Sequence, residues 1–136
     1  MKSFRDLRVW NASIDFAVMI YRVTDAFPPS EQFGLTTQIR RAAVSIASNI
    51  AEGQGRMTSG EWLQFLGHSR GSLFEVETQL ALSARLGLLA PDELDCLQTS
   101  VVQIGRSLTG LINWVSTRAE RTVHPPKTKN RKPKTG

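Results

Sequence analysis

The chain has 136 residues, a formal net charge of +5 and one cysteine. This length fits a single domain with one buried core, and a lone cysteine excludes both an internal disulfide framework and a cysteine-based zinc site. The first segment is charged where a signal peptide would be apolar, and no apolar run is long enough to cross a bilayer. We therefore expect a cytoplasmic protein without a membrane partner.

The positive charge is concentrated at the carboxyl end. Residues 121–136 contain no acidic side chain and six basic ones, which are Arg121, Lys127, Lys129, Arg131, Lys132 and Lys134. The preceding 120 residues contain eleven basic and twelve acidic side chains, so the body is nearly neutral. Three prolines and one apolar residue follow Arg121, which predicts a disordered tail over 121–136. Such a tail can neutralise phosphates, although a solvated tail that only favours solubility is the alternative.

The first two helices are bounded by proline and glycine. Apolar residues recur at helical spacing from about 6 to 25, and the prolines of 27–29 end this helix. Ser30 is predicted to cap a second helix over 31–52, with an acidic residue in its first turn. Gly53 then fits the left-handed residue that follows many helices.

Two longer helices complete the body, residues 1–120. Thr58 or Ser59 is predicted to cap the third helix, with Glu61 at capping-box spacing, and this helix continues to about Arg85. The fourth runs from about Pro91 to 119, and its apolar seam consists of Leu94, Leu97, Val101, Ile104, Leu108, Leu111 and Val115. Because the connections are short, the pattern predicts an all-α, antiparallel up-down-up-down four-helix bundle.

A polar stripe follows one side of the second helix. Its members recur every three or four residues and are Gln38, Arg41, Ser45, Asn49, Glu52 and Arg56. The third helix has a second polar line, which includes His68, Ser72, Glu75, Gln79 and Ser83, and two mid-helix glycines, Gly67 and Gly71, that suggest close approach by a neighbour.

Three readings of the two polar lines remain open. They form solvated faces, a hydrogen-bonded seam between the helices, or a surface for a ligand or nucleic acid. In the seam, Arg41 pairs with Glu75 beside Ser45, Ser72 and Asn49. Glu52 opposes the helix dipole, so we expect it to have a cationic partner such as Arg56. Arg41 is expected to pair with protein, and Arg56 is the favoured phosphate contact.

A third sector of the second helix is unexpectedly apolar. Val44, Ala47 and Ala51 lie where a helix at the surface of a bundle should be charged. We interpret these residues as part of a subunit interface, and the alternative is a helix that is sunk deeply into its own bundle.

The sequence contains no recognisable catalytic arrangement. No cluster of histidine and carboxylate has metal-ligand spacing, no glycine-rich loop has the strand context of a phosphate-binding loop, and Cys96 has no nearby base. We therefore predict no catalytic residue, no metal and no cofactor. Arg118 and His124 match the loose arginine–histidine spacing of HEPN-type ribonucleases, which leaves ribonuclease activity as a minor alternative.

Four motifs carry a family resemblance. They are F-x-x-L-x-V-W (4–10), F-P-x-x-E-x-F-G-L (27–35), Q-I-R-R-A-A-x-S-I-x-x-N-I-A-E-G (38–53) and G-S-L-x-E-x-E-x-Q-L (71–80). In these motifs the chain resembles the four-helix bundle proteins of the ribosomal RNA intervening-sequence family, whose founding members are encoded within large-subunit ribosomal RNA genes. The resemblance implies a ring, specifically a homopentamer. The related accessory proteins of diversity-generating retroelements bind nucleic acid and a reverse transcriptase.

Together, these observations predict a non-enzymatic homo-oligomeric bundle that binds nucleic acid, RNA rather than DNA, or scaffolds a nucleoprotein complex. Arg40, Arg41 and Arg56 are the candidate contacts on the body, in addition to the six cations of the tail. The alternative is a protein-interaction module that acts as an accessory subunit of a reverse transcriptase.

Overall fold

The computed structural model describes residues 3–123, with side chains described as far as residue 119. It contains four α-helices, which are α1 (Arg8–Thr24), α2 (Leu35–Gln54), α3 (Ser59–Arg85) and α4 (Pro91–Val123). Short 3-10 helices over Phe4–Asp6 and Pro29–Glu31 precede α1 and α2, and residues 3–123 contain no strand. The predicted all-α class with four helices is confirmed. Helix α4 includes residues 121–123, whereas 124–136, the rest of the predicted tail, lie outside the described residues.

The four helices pack at the corners of a square. Helix α2 packs against α3, α3 against α4, and α1 against both α2 and α4. Within residues 3–123, no Cα atom of α1 lies within 8 Å of one in α3, and none of α2 lies within 8 Å of one in α4. The groove between α1 and α2 therefore lies on the opposite side of the bundle from the groove between α3 and α4.

The core is built from the apolar faces that the sequence pattern indicates. On α2, Ile39, Ile46 and Ile50 are fully buried, and on α4 the predicted seam is buried or half-buried along its whole length. Burial of each large aliphatic side chain contributes about 1.5–3 kcal/mol, so this seam is a major source of stability. In the part of the chain that the structure describes, no helix combines the length and apolar character needed to cross a bilayer.

The ends of α2 and α3 show which local signals determine the helix boundaries. Thr58 caps α3 as predicted, because its Oγ1 accepts a hydrogen bond from the amide of Glu61 at 3.1 Å. The predicted start of α2 at Ser30 is wrong, since this helix begins at Leu35 after a separate 3-10 turn. Glu31 still acts on α2 from that turn, where its carboxylate accepts a hydrogen bond from the amide of Leu35 at 3.3 Å.

Two glycines have different roles from those that the sequence suggests. Gly53 lies within α2 and not in a left-handed turn, and a Cβ there would be 2.9 Å from Cδ1 of Trp62. Glycine is needed because α2 and α3 approach closely at this point. The left-handed residue is Gly87, with φ of 75°, which ends α3 while the amide of Leu88 donates to the carbonyl of Ser83.

Candidate nucleic-acid interface

The middle of the polar stripe is a hydrogen-bonded contact between α2 and α3. Ser45 Oγ and Ser72 Oγ share a hydrogen bond of 2.8 Å, and Asn49 Nδ2 donates to the Oγ and the carbonyl of Ser45. One turn away, Ser69 Oγ donates to the carbonyl of Ile46 at 2.8 Å. These small polar side chains satisfy one another where the two helices meet, so they belong to the protein's own packing and not to an open surface.

The predicted pair at the edge of this contact does not form. Arg41 and Glu75 are both exposed, and within the described residues neither makes an ion pair or a hydrogen bond. Gln38 is also exposed. The charge of Arg41 is therefore available to a partner outside the chain, which reverses the expectation that this arginine pairs with protein.

Its neighbour Arg40 makes the contacts between helices. Arg40 Nε donates to Thr24 Oγ1 at 2.8 Å, and Nη2 donates to the carbonyl of Tyr21 and to Asp25 Oδ1 at 3.1 and 3.0 Å. Its guanidinium also lies 4.5 Å from the centre of the Tyr21 ring. Consecutive residues point about 100° apart around a helix, so α2 directs Arg40 towards α1, where Asp25 lies, and Arg41 away from it.

Arg56 has partners of its own after the end of α2. Its Nη2 is 2.7 Å from Glu52 Oε2, and the guanidinium lies 4.4 Å from the centre of the Phe65 ring. The expected cationic partner of Glu52 is therefore present. Arg56 remains partly exposed, with 37% of its side chain accessible, so one face of the guanidinium stays open to solvent.

The three residues assigned to a subunit interface differ in their exposure. Val44 is 42% exposed, Ala51 is half-buried, and Ala47 is only 3% exposed within the single chain. Because α2 lies against both α1 and α3, Ala47 is covered by its own bundle and has no surface to offer another subunit. The interface prediction therefore depends on Val44 and, to a smaller extent, on Ala51.

Val44 is one wall of an apolar groove, which we term the α1–α2 groove. Its other exposed apolar residues come from α1 and are Ile14, Val18 and Tyr21, and a volume of about 470 Å³ lies between the two helices. Helix α1 carries more apolar residues than its core-facing side holds, and Ile14, Val18 and Tyr21 are left exposed on this groove. That surplus is the signal by which they could have been found.

Sequence reasoning also missed exposed groups on the other side of the bundle. Phe74 on α3 is 58% exposed, and Arg70 and Arg106 lie beside it on α3 and α4. At the ends of the bundle, Phe33 is 90% and Met57 is 94% exposed. Phe33 is part of a family motif, yet its exposure depends on the 3-10 turn before α2, which the sequence pattern did not indicate.

The remaining candidates are the two histidines and the cations of the tail. Within residues 3–119, no group of three or more histidine, cysteine, aspartate or glutamate side chains could hold a metal ion. His68 is exposed on α3, with its ring packed edge-on to Phe65. His124 lies outside the described residues, as do the predicted tail cations Lys127, Lys129, Arg131, Lys132 and Lys134. Arg121 lies in the helical backbone of α4.

Comparisons with known proteins agree with this architecture. Residues 5–110 match the sequence family described as 23S rRNA-intervening sequence protein. A crystal structure from Bacteroides thetaiotaomicron, of a protein of unknown function from the S23 ribosomal protein family, superposes with a TM-score of 0.71. It is 23% identical, and the alignment covers 77% of this chain and 95% of that one, which shows a shared fold. No curated protein matches the chain by sequence.

Proposed function

The chain belongs to the 23S rRNA-intervening sequence protein family, and from this premise we propose that it is a non-enzymatic, homo-oligomeric bundle that binds nucleic acid, RNA in preference to DNA. The observation that carries the proposal is the concentration of cations from the last turn of α4 to residue 136. Residues 121–136 hold six basic side chains without an acid. Release of counterions from neutralised phosphates makes such a segment a source of affinity for any strand.

The surface near the end of α4 supports a contact that continues onto the body. The Trp62 and Trp114 rings meet edge-on, 5.9 Å apart, which brings the start of α3 beside the last part of α4. Arg56 lies on Phe65 in the same region. The open face of its guanidinium can bind phosphate near the point where the basic segment begins. Arg41, which is exposed and unpaired within the described residues, is a second candidate.

The proposed assembly is a ring of antiparallel bundles, with five copies as the family resemblance implies. Contacts between α2 and α3 run in opposite sequence directions, from Gly53 with Trp62 to Ser45 with Ser72, which supports an up-down order. The α1–α2 groove supports association, because exposed aliphatic side chains gain from burial. A groove that meets a different surface on the next copy gives a head-to-tail interface, which closes into a ring when the rotation permits.

A salt titration tests nucleic-acid binding most directly. Affinity for a fluorescein-labelled single-stranded RNA should fall steeply as salt rises, and single-stranded DNA should bind more weakly. A chain that ends at Val123 keeps α4 but lacks five of the six cations. Because each phosphate contact contributes about 0.7 to the slope of log K against log salt, loss of five contacts should reduce the slope by about 3.5. An unchanged slope would contradict the assignment to the tail, and a full-length chain without affinity for either strand would contradict the function.

A role as a protein-interaction module, such as an accessory subunit of a reverse transcriptase, is the second candidate. The almost fully exposed Phe33 favours it, since large aromatic side chains are frequent anchors of protein interfaces. In a pull-down with a purified partner, Phe33→Ala should abolish capture under this candidate. The same variant should leave the salt dependence of RNA binding unchanged.

A further inference from the structure

A groove with an unusual lining runs between α3 and α4. Its volume is about 430 Å³, and its lining includes Arg70, Leu73 and Phe74 of α3 with Val102, Arg106 and Thr109 of α4. We term it the α3–α4 groove. It is open to solvent along the bundle, so an extended chain could lie in it while remaining accessible at both ends.

The two arginines of this groove are not neutralised by the protein. Arg70 and Arg106 are exposed, and within residues 3–119 neither makes an ion pair or a hydrogen bond. No acidic side chain lines the groove. Two guanidinium groups on one groove repel each other, and an anion between them would turn that repulsion into two attractive contacts. Guanidinium binds phosphate through paired N–H donors, so a phosphodiester is well suited to this position.

Phe74 adds an aromatic ring, which a site for phosphate alone would not need. It is 58% exposed and lines the same groove as both arginines. Proteins that bind single strands combine cations along the backbone with aromatic rings on which bases stack. Cations and an aromatic ring on one groove reproduce that combination, and the aromatic ring is what the basic tail lacks.

The backbone around this groove is open to close approach. Gly67 lies one turn before Arg70 on α3, and apart from its two chain neighbours and the adjoining backbone of α3, no atom of the described chain lies within 4 Å of the position of its missing Cβ. Glycine within a helix lowers stability by about 1 kcal/mol relative to alanine. No close neighbour within the chain requires a glycine at this position, so the chain's own packing does not explain this loss of stability.

We propose that the α3–α4 groove binds single-stranded RNA, with Arg70 and Arg106 on phosphate groups and Phe74 stacked on a base. This assignment rests on the proposed nucleic-acid function and locates it on the body of the protein. A second copy of the chain is the less suitable occupant, because the centres of subunit interfaces are depleted of charged side chains. The opposite α1–α2 groove exposes four apolar side chains, and its cation Arg22 is balanced by the anion Asp25, so it fits a subunit contact better.

The test uses the full chain and a labelled oligouridylate of about 20 nucleotides, a length well above the site of a single binding fold. The double variant Arg70→Gln/Arg106→Gln should bind about tenfold more weakly, and its salt slope should fall by about 1.4, as expected for two lost phosphate contacts. Arg8→Gln/Arg85→Gln removes the same charge from exposed positions elsewhere and should keep the slope.

Phe74→Ala separates base stacking from charge. It should weaken binding of oligouridylate about tenfold and leave an abasic strand of the same length unaffected. Circular dichroism and light scattering on each variant check folding and mass. As a measurement without substitution, RNA that carries 4-thiouridine should cross-link to the α3 and α4 peptides that line the groove.

The outcomes separate this inference from the function on which it rests. If the wild-type chain binds no single strand, the proposed function fails. If it binds and the Arg70→Gln/Arg106→Gln variant binds equally well, or cross-links map only to other peptides, only the groove assignment is overturned. A change of oligomer mass in that variant also overturns it, because the groove would then be covered by another subunit.

Discussion

The two grooves on opposite sides of the bundle resemble each other in shape and differ in charge. Both lie between adjacent helices and both expose aliphatic side chains. The α1–α2 groove is lined by one arginine and one aspartate, Arg22 and Asp25, and Asp25 also pairs with Arg40 at the edge of the groove. In the α3–α4 groove, Arg70 and Arg106 have no such partner within the described residues.

This difference shows how one scaffold can present two kinds of surface. A groove whose lining holds one cation and one anion has no net charge to attract an ion and gains mainly from covering apolar area, so another protein surface is its natural occupant. A groove with two free guanidinium groups gains from an anion. The proposed division between assembly and RNA binding follows from where the chain places its acidic side chains, and it can be tested with matched substitutions in the two grooves.

The largest effect is expected from a charge placed in the α1–α2 groove. Val18→Glu should dissociate the oligomer, because removing a carboxylate from water in a closed interface costs about 3 kcal/mol per contact, or roughly a hundredfold in association. Val102→Glu is the matched control, since Val102 is similarly exposed in the α3–α4 groove.

Size-exclusion chromatography with light scattering measures the outcome. Val102→Glu should keep the wild-type mass and lose RNA affinity, whereas Val18→Glu should give the mass of a monomer. If the wild-type chain is already a monomer, the assignment of Val44 and its neighbours to a subunit interface is wrong. If Val18→Glu and Val102→Glu have equal masses, the two grooves do not differ in their role in assembly.

A smaller effect is expected when one arginine is removed beside the α1–α2 groove or within the α3–α4 groove. Arg40→Gln should lower the free energy of unfolding by about 1–2 kcal/mol, because it breaks partly exposed hydrogen bonds to Thr24, Tyr21 and Asp25. Arg70→Gln should change it by less than about 0.5 kcal/mol. Urea denaturation at one protein concentration provides both values. Equal losses would mean that Arg70 has a structural partner after all.

The smallest effect concerns the bare backbone beside the α3–α4 groove. Gly67→Ala should raise the free energy of unfolding by about 0.5–1 kcal/mol, since alanine favours the helix and the site is open in the chain. The same variant should weaken RNA binding if a strand approaches the helix there. Thermal unfolding and fluorescence anisotropy on one preparation measure the two quantities. If Gly67→Ala raises the free energy of unfolding and leaves the RNA affinity unchanged, the strand does not reach this turn of α3.

The periodic features of the fold were predictable, because they depend on spacing within one helix. The apolar seam of α4 and the buried isoleucines of α2 are examples, since a repeat of three and four residues defines a core-facing side. Thr58 was predictable for the same reason, because its capping contact reaches only three residues along the chain.

Features that depend on a second helix were not predictable from spacing. Arg40 and Arg41 are adjacent in sequence, and only the position of Asp25 on α1 decides which of them is paired. Gly53 is required by Trp62 on α3, so its role could not be read from α2. The α3–α4 groove is lined by Arg70 and Phe74 of α3 and by Arg106 of α4, and spacing within one helix does not show that these residues meet. An aromatic residue close to two mid-helix glycines was a partial signal in the sequence.

The length of α4 has a consequence for how the basic segment acts. This helix has 33 residues, and Val115 is the last member of its buried seam, so the eight residues after it extend about 12 Å further. They form a stiff spacer that fixes where the charged segment leaves each bundle. In a ring of identical copies, the exit points would share one rim. Several weak ionic contacts would then act at high effective concentration, and avidity would make the assembled ring bind a strand far more tightly than a single copy.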